Sequence, residues 1–332
     1  EAIADRIRTE EYALSAWDDQ GIVRSWEGAR EAHREALVSA GRWPSDHEAA
    51  AFEDLSIVVD LGNGMGGVAA DALYDLGATV ETLNAQPDGA FPGRPSEPTA
   101  ETCATLAKTV AAVDADLGIA HDGDADRMMA VTGEGEFVPG DLLLAIFGCD
   151  VAGEGDRVAA PVDTSLAVDD ALASVGASVV RTRVGDVYVA ERAREPDVAF
   201  GGEPSGAWIF PEETLCPDGP LAAVKLAKLA ASEPLADRLD RIDTYPIRRD
   251  TVETDAKAAV MESVTASVLE RYDDVTTLDG VRVETDEGWF LVRPSGTQPL
   301  IRLTAEARAA DDADELLAVA RSLVDGAIAE SG

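Results

Sequence analysis

Lysine, histidine and cysteine are all scarce in this sequence, and each scarcity excludes a class of protein. The 332 residues contain four lysines, three histidines and three cysteines. Cys103, Cys149 and Cys216 lie far apart without a CxxC pair, which excludes a disulfide framework and fits a reducing cytosol. So few scattered histidines and cysteines also argue against a zinc site. We recognise no signal peptide and no apolar run long enough to span a bilayer, and we therefore expect a cytoplasmic protein without membrane partners.

Positive charge is the next shortage, because 64 acidic residues face only 27 basic ones and the formal net charge is -37. So acidic a chain is a poor candidate for binding nucleic acid. The acidic residues are spread along the whole length and form no concentrated block that would suit a basic partner. This distribution is typical of a surface that stays hydrated in concentrated salt, where screening removes the self-repulsion, and it predicts a halophile's cytosolic protein.

The first 50 residues read as the end of a domain rather than as a domain of their own. Residues 1–12 and 29–40 have amphipathic helical patterns, and Gly41 is a candidate C-cap for the second helix. Two short helices cannot bury much apolar surface. Residues 42–52, which include Pro44, are predicted to be a linker.

Residues 51–153 and 154–243 have the alternating strands and helices of α/β domains, and they repeat one another. The segment 71–80 matches the segment 170–179, with Asp-Ala-Leu and Gly-Ala-[Thr/Ser]-Val in the same register. The strands upstream of the two segments also correspond. We therefore predict two similar three-layer α/β/α domains.

Residues 244–332 have a different pattern, in which strands over 280–284, 288–293 and 300–306 follow one another closely. Helices are predicted over 257–272 and 311–329. This order predicts a small α+β domain with an antiparallel sheet.

An apolar strand over 117–120 leads into three alternating acids, Asp122, Asp124 and Asp126, followed by Arg127. We call residues 122–127 the aspartate loop. In an extended loop alternate side chains point the same way, so the three carboxylates are predicted to converge. Converging carboxylates repel one another unless a hard divalent cation such as Mg²⁺ lies among them. The alternative is a solvated acidic turn; an EF-hand is excluded because its sixth position would be Arg127 and its twelfth Gly133.

The glycine turn, residues 62–67, contains the G-x-G-x-x-G pattern as Gly62, Gly64 and Gly67 between a strand and a helix. With Glu81 near the end of the next strand, the pattern is that of a dinucleotide-binding fingerprint. A tight strand-to-helix turn that needs glycine backbone freedom accounts for it equally well. The pattern alone leaves both interpretations open.

Two further loops carry ligand-binding chemistry. In the glutamate loop, residues 201–206, Glu203 and Ser205 suit a ligand rich in hydroxyl groups, although a polar turn is the plain alternative. The arginine loop, residues 293–297, offers a guanidinium fork, two hydroxyls and a flexible backbone to an anion such as phosphate. Its residues are Arg293, Ser295, Gly296 and Thr297, with Arg302 in the next strand as a second cation. Arg183 is a weaker candidate, since an ion pair explains it equally well.

The aspartate, glutamate and arginine loops, in this order, resemble those of the α-D-phosphohexomutases: phosphomannomutase/phosphoglucomutase and phosphoglucosamine mutase. The resemblance covers residues 50–332 almost continuously, and the acidic composition is like that of a haloarchaeal member. It implies four domains, of which the internal repeat is the second and third. A phosphoserine would give its phosphoryl group to a hexose phosphate, and the resulting bisphosphate would return the other phosphate.

The resemblance implies a role for most of the candidate residues. Asp122, Asp124 and Asp126 would be the Mg²⁺ ligands, and Arg127 would support the transferred group. Sugar hydroxyls would be held by Glu203 and Ser205. The phosphate that does not react would be bound by the arginine loop, whereas Arg302 and Arg183 are candidates on their chemistry alone.

The sequence departs from the family at the nucleophile. The family's phosphoserine lies in a Thr-[Ala/Ser]-Ser-His-Asn-Pro loop, and no Ser-His pair occurs in this chain. We therefore expect a mutase lacking most of its first domain, which binds hexose phosphates as a monomer or homodimer but does not interconvert them. The alternatives are a non-catalytic phosphosugar-binding protein and, with less support, a nicotinamide-dependent dehydrogenase built on the glycine turn.

Overall fold

The first α/β unit is a four-stranded sheet between helices. The computed structural model describes residues 2–43, 52–296 and 298–331 of the chain. The elements of this unit are β1 (Ser56–Asp60), α3 (Gly67–Asp75), β2 (Thr79–Leu83), α4 (Ala104–Val113), β3 (Leu117–His121) and β4 (Met128–Thr132). The strands follow the order β2-β1-β3-β4, in which the first three are parallel and β4 runs antiparallel to β3. β3 and β4 are buried along their whole length because helices cover both faces, as their unbroken apolar sequence predicts.

The second α/β unit repeats the architecture of the first. Its elements are α5 (Gly140–Val151), β5 (Arg157–Pro161), α6 (Leu166–Ser174), β6 (Ser178–Thr182), α7 (Asp186–Ala193), β7 (Val198–Gly202), β8 (Trp208–Ile209), α8 (Gly219–Ser232) and α9 (Leu235–Leu239). The strands follow the order β6-β5-β7-β8, again with three parallel strands and one antiparallel strand. This shared order confirms the two similar α/β domains. α5 packs against α6 and β7 and also contacts β4, so it lies across both units.

The repeat gives the two loops equivalent positions. The aspartate loop connects β3 to the antiparallel strand β4, and the glutamate loop makes the same connection between β7 and β8. Both loops therefore lie at the carboxyl ends of parallel strands, where open α/β sheets bind their ligands.

The C-terminal domain has the predicted antiparallel sheet, and two helices cover one of its faces. The elements are β9 (Ile247–Glu253), α10 (Lys257–Arg271), β10 (Val275–Thr276), β11 (Val281–Glu284), β12 (Gly288–Pro294), β13 (Leu300–Ala307) and α11 (Ala310–Ser331). The strands follow the order β10-β11-β12-β13-β9. Alternate side chains of β12 serve different cores: Phe290 and Val292 lie in the core beneath the helices, whereas Trp289 and Leu291 pack with Val162 of the second α/β unit.

A buried polar joint fixes this domain to the second α/β unit. Glu306 is fully buried and accepts hydrogen bonds from the Ser165 hydroxyl (2.5 Å), the Leu166 amide (2.8 Å) and the Trp289 indole (2.8 Å). Arg282, also buried, donates to the carbonyl oxygens of Val162 and Thr164 at 2.5 and 3.2 Å. These hydrogen bonds satisfy two side chains that would be costly to bury without partners, and they hold the two domains together.

The N-terminal segment differs from its prediction in extent. α1 (Ala2–Arg8) ends four residues before Tyr12, because Glu10 has φ +54° and cannot continue a right-handed helix. The side chains of Ile3 and Ile7 remain exposed. α2 (Ala29–Gly41) packs against α3 and α8, and its Leu37 is fully buried.

Most of the predicted linker, residues 44–51, lies outside the described residues. In the part of the chain that the structure describes, no helix is both long and apolar enough to cross a membrane.

Candidate active site

The three aspartates of the aspartate loop converge, but by a different route from the one predicted. One carboxylate oxygen from each of Asp122, Asp124 and Asp126 can be chosen so that all lie within 4.8 Å of one another. The loop is bent rather than extended, and Ala125 has φ +63°. The prediction that the carboxylates converge because alternate side chains of an extended loop point the same way is therefore wrong. The left-handed residue turns the chain back on itself and brings the carboxylates together.

The electrostatics of the aspartate loop fit a divalent cation. Asp122 is only 9 % exposed, and burial, with the nearby charges of Asp126 and Asp124, raises the pKa of its carboxyl to about 6. The Arg127 amide donates to Asp122 at 3.2 Å but supplies no full charge. Three close carboxyl oxygens with unfavourable mutual charge form the donor set that Mg²⁺ prefers. The residues present therefore fit this ion.

The glycine turn lies directly beneath the aspartate loop. The Met65 amide donates to the Gly123 carbonyl at 3.0 Å. A Cβ atom at Gly64 would stand 2.5 Å from the Gly123 oxygen and 2.8 Å from the Asp122 oxygen. Glycine is required here for a close approach between two backbones. The turn is occupied by the aspartate loop, which leaves no open cradle for a dinucleotide pyrophosphate and removes the main support for a dehydrogenase.

His121 lies at the base of the aspartate loop and is fully buried. Its Nδ1 is 3.0 Å from the Arg127 carbonyl, and since a carbonyl only accepts, Nδ1 carries the hydrogen. Burial lowers the pKa of His121 to about 4, so the ring is neutral at pH 7. Neutral His121 thus joins the two ends of the loop without adding charge.

Sequence reasoning missed a buried ion pair on the other side of the loop. Asp60, at the end of β1, accepts from Arg94 at 2.7 Å, from Asn84 at 2.9 Å and from the Gly62 amide at 2.9 Å. Arg94 also donates to the carbonyl oxygen of His121 at 2.5 Å. Arg94 lies in a long connection rich in proline and glycine, and the sequence of this connection shows no pattern that would single out one arginine.

The glutamate loop is joined directly to the aspartate loop. Arg127 and Ala207 form an isolated β-bridge, and the Met128 amide donates to the Gly206 carbonyl at 2.9 Å. Glu203 is 8 % exposed and accepts from the Gly185 amide at 2.6 Å. Burial raises the pKa of its carboxyl. The two candidate loops of the repeated domains therefore form one continuous surface.

Arg127 and Ser205 complete this surface. The Arg127 Nε atom lies 3.9 Å from Asp122 Oδ2 and 4.0 Å from Asp126 Oδ1, and its Nη1 lies 3.5 Å from Glu97 Oε1. The guanidinium is held among carboxylates at ion-pair distance rather than in tight hydrogen bonds. The hydroxyl of Ser205 lies 3.4 Å from Glu203 Oε2.

The arginine loop connects β12 to β13 and places two cations side by side. Arg293 and Arg302 are directly opposite in the antiparallel register, so their side chains share a face of the sheet. Like charges in this position destabilise a sheet, and an anion between them would remove the penalty. Among the described residues, Arg293 pairs with Asp279 at 3.1 Å, and Arg302 is exposed.

Lys257 was also missed by sequence reasoning. Its Nζ, at the start of α10, donates to the carbonyl oxygens of Ser295 (2.6 Å) and Gln298 (2.7 Å). The Ser295 hydroxyl accepts from the Gln298 amide at 3.2 Å. Apart from its chain neighbours, none of the described residues has an atom within 4 Å of a Cβ placed on Gly296, so this position is open among them. Thr297, another predicted anion ligand, lies outside the described residues.

The backbone that follows Arg183 connects the arginine loop to the glutamate loop. Its Nε donates to the Leu278 carbonyl at 3.0 Å, and the Val184 amide donates to Asp279, the partner of Arg293. The next amide, that of Gly185, donates to Glu203. A continuous path of hydrogen bonds therefore runs from the arginine loop to the glutamate loop.

Three family models match consecutive parts of the chain. They are the phosphoglucomutase/phosphomannomutase α/β/α domain II on residues 35–135, α/β/α domain III on residues 139–245, and the C-terminal domain on residues 247–322. The chain belongs to this family of α-D-phosphohexomutases. The predicted family is therefore confirmed.

Curated relatives in the family include probable phosphoglucosamine mutases of two archaea. The Methanopyrus kandleri protein is 46 % identical over 307 residues, which cover 90 % of this chain and 66 % of that protein. The Methanosarcina barkeri protein is 43 % identical over 332 residues, covering 99 % of this chain and 73 % of that protein. The chain thus spans about two thirds to three quarters of the length of these relatives.

Solved structures of phosphohexomutases share the fold. A phosphoglucomutase/phosphomannomutase family protein from Burkholderia thailandensis superposes with a TM-score of 0.82 at 24 % identity, over 98 % of this chain and 69 % of that one. The N-acetylphosphoglucosamine mutase of Aspergillus fumigatus, solved in complex with GlcNAc-6P and magnesium, superposes with a TM-score of 0.62 at 18 % identity, over 90 % and 70 %. At these identities the likeness extends to the fold alone.

Proposed function

We propose that this chain is the metal-, sugar- and phosphate-binding part of a phosphohexomutase, an enzyme that interconverts hexose 1-phosphates and hexose 6-phosphates. The observation that carries the proposal is the continuity of the site. A β-bridge joins the aspartate and glutamate loops, and hydrogen bonds through Gly185 and Asp279 join the glutamate and arginine loops. One ligand with a sugar ring and a remote phosphate suits such a surface.

Each loop has a distinct task in this proposal. Asp122, Asp124 and Asp126 hold Mg²⁺, which supplies charge neutralisation for a transferring phosphoryl group. Arg127 lies at the edge of the metal site and supports the negative charge that develops there. The arginine loop binds whichever phosphate of the sugar does not react, in both orientations of the substrate.

The sugar is held by acceptors that are already oriented. One oxygen of Glu203 accepts from the Gly185 amide, and the other lies 3.4 Å from the Ser205 hydroxyl. A sugar that replaces this long contact would offer one hydroxyl to Glu203 and a neighbouring one to Ser205. At the other end, Arg293 and Arg302 clamp a phosphate, with Ser295, Gly296, Thr297 and Arg183 as supporting groups. Because these groups recognise vicinal hydroxyls and a phosphate, the same site accepts the sugar in two orientations.

The substrate that we propose first is glucosamine phosphate, since the curated relatives are named probable phosphoglucosamine mutases. Glucose and mannose phosphates are the next candidates. The acidic composition supports a cytosolic location in concentrated salt.

The phosphoryl group would come from a phosphoserine and pass through a bisphosphate intermediate. No Ser-His pair occurs in these 332 residues, so we expect this chain to bind hexose phosphates without interconverting them. The direct test is ³¹P NMR of glucosamine 6-phosphate with the chain and Mg²⁺. Binding should broaden the phosphate signal, and no 1-phosphate signal should appear.

Two other results of this experiment would change the proposal. A growing 1-phosphate signal would mean that another residue of this chain serves as the nucleophile. An unchanged spectrum, with neither broadening nor conversion, would contradict the hexose phosphate site itself.

A further inference from the structure

A short turn, residues 93–96, contacts the underside of the aspartate loop. Its Arg94 is 6 % exposed, and all three guanidinium nitrogens are used. Nε donates to Asp60 at 2.7 Å, Nη2 donates to the His121 carbonyl at 2.5 Å, and Nη1 donates to the carbonyl oxygens of Pro95 (3.1 Å) and Ser96 (2.9 Å). The same side chain therefore shapes its own turn and holds the start of the aspartate loop.

Ser96 holds the loop on the other side of its first aspartate. Its hydroxyl accepts from the Gly123 amide at 2.9 Å. Asp122 lies between the two held groups, the His121 carbonyl and the Gly123 amide. With both flanking peptide groups fixed, the direction in which the Asp122 side chain leaves the backbone is fixed as well.

The aspartate loop needs such support because no regular secondary structure holds it. Residues 123–125 form successive bends, and Ala125 has φ +63°, a conformation that costs a residue with a side chain free energy. A strained loop keeps its shape only when its surroundings specify it. The turn and the aspartate loop are also in direct contact at Gly123, since a Cβ there would stand 2.9 Å from the Ser96 hydroxyl.

We propose that Arg94 and Ser96 are positioning residues for the metal-binding aspartates. They touch neither the ion nor the substrate. They act by fixing the backbone on both sides of Asp122, so that the three carboxylates converge before the ion arrives. The inference rests on the proposed metal site. Outer partners of metal ligands typically contribute about 10- to 100-fold to metal affinity.

The test is the Mn²⁺ affinity of the full 332-residue chain, measured by electron paramagnetic resonance of free Mn²⁺. The many surface acids bind Mn²⁺ weakly, so the titration is run in about 1 M KCl, where the Debye length is about 3 Å. The variant D122N/D124N/D126N gives the remaining background, which is subtracted.

Three variants separate positioning from general stability. R94K keeps a charge opposite Asp60, but one ammonium group cannot span both Asp60 and the His121 carbonyl, so affinity should fall about tenfold or more. The Mn²⁺ affinity of S96A should fall by about tenfold, the low end of the same range. S96T restores the hydroxyl and should bind nearly as tightly as the wild type.

R282K is the matched control, because Arg282 is likewise a buried arginine that pairs with a carboxylate and donates to backbone carbonyl groups, in this case two. It lies in the joint of the C-terminal domain, and R282K should lower the unfolding temperature without changing Mn²⁺ affinity. If R94K and S96A behave as R282K does, the positioning role is overturned and their contribution is stability alone.

Hydrogen exchange of the peptide that covers residues 121–127 provides a second readout, which needs no metal. Exchange should be faster in S96A than in the wild type, because the Gly123 amide loses its acceptor. Unchanged exchange together with unchanged affinity would also overturn the inference. A wild-type chain that binds no Mn²⁺ above background would overturn the proposed metal site and this inference with it, whereas a wild type that binds would confine any failure to the variants.

Discussion

Replacing Gly64 by alanine places a methyl group between the glycine turn and the aspartate loop. The new Cβ would stand 2.5 Å from the Gly123 oxygen, whereas ordinary contacts begin at 3.4 Å. The Asp122 oxygen, at 2.8 Å, closes the other direction. Both obstacles are backbone atoms, so no side chain can rotate away. The aspartate loop must therefore retreat by about 0.9 Å to reach an ordinary contact distance.

The displacement has two expected costs. Overpacking typically destabilises a protein by about 1–3 kcal/mol, and the lower entropy of unfolded alanine returns about 0.4–1 kcal/mol. We expect the free energy of unfolding to fall by about 1.3 kcal/mol, the difference between the midpoints of these two ranges. Mg²⁺ needs oxygen ligands at about 2.0–2.1 Å in near-octahedral geometry, so a shift of this size should weaken Mg²⁺ binding at least tenfold.

The assay is calorimetric titration with Mg²⁺, combined with urea unfolding of the same samples. G326A is the control, because Gly326 lies in α11 and, beyond its own helix backbone, no described residue has an atom within 4 Å of the place that a Cβ would take. Alanine is also the better helix former by about 1 kcal/mol. That variant should be slightly more stable and bind Mg²⁺ as the wild type does. If G64A binds Mg²⁺ with wild-type affinity, the glycine turn does not set the position of the aspartate loop.

Three further variants test other parts of the account. R293K loses the planar guanidinium fork that can bind phosphate through two hydrogen bonds, so calorimetry should show about tenfold weaker binding of glucosamine 6-phosphate. Wild-type affinity would contradict the assignment of Arg293 as a phosphate ligand. E306Q cannot accept all three hydrogen bonds in the buried joint, and urea unfolding should show a loss of about 2–4 kcal/mol. Burial raises the pKa of Asp141 to about 6, so its folded carboxyl holds the proton more tightly than its unfolded one and stability falls as pH rises from about 4 to 6. D141N should therefore add about 1–3 kcal/mol at pH 8 and less as the pH approaches 4, and a gain independent of pH would refute this reasoning.

The sequence was most informative where chemistry is concentrated in one loop. The aspartates, Glu203 and Arg293 were predicted as candidate site residues because acids, hydroxyls or an arginine occur with glycine between predicted strands. The repeat of 71–80 in 170–179 likewise predicted two similar domains, and their sheets share one strand order because the same local pattern forms the same βαβ unit.

Contacts between distant segments were not predictable in the same way. Arg94 is 34 residues from Asp60, and Lys257 is 38 residues from Ser295. Nothing in the local pattern around either cation shows which backbone it will meet. The glycine turn was ambiguous for the same reason. Only the position of Gly123 above it shows that the turn packs against another loop and does not bind a dinucleotide pyrophosphate.

Local patterns also misled in two places. Alternating aspartates predicted an extended loop, but the loop bends at the left-handed Ala125, because alternation alone does not indicate where a left-handed residue will occur. The apolar spacing of Ile3, Ile7 and Tyr12 predicted a longer first helix. Glu10, with φ +54°, ends that helix, and the side chains of Ile3 and Ile7 stay exposed instead of packing on a neighbour that could extend it.

The most direct test of the central claim is competition calorimetry with glucosamine 1-phosphate and glucosamine 6-phosphate on the 332-residue chain in the presence of Mg²⁺. If the aspartate, glutamate and arginine loops form one hexose phosphate site, each ligand should bind with one molecule per chain, and saturation with either should abolish binding of the other. E203Q and R293K should each weaken the binding of both ligands. Binding of neither phosphate, or independent binding of both, would contradict the account.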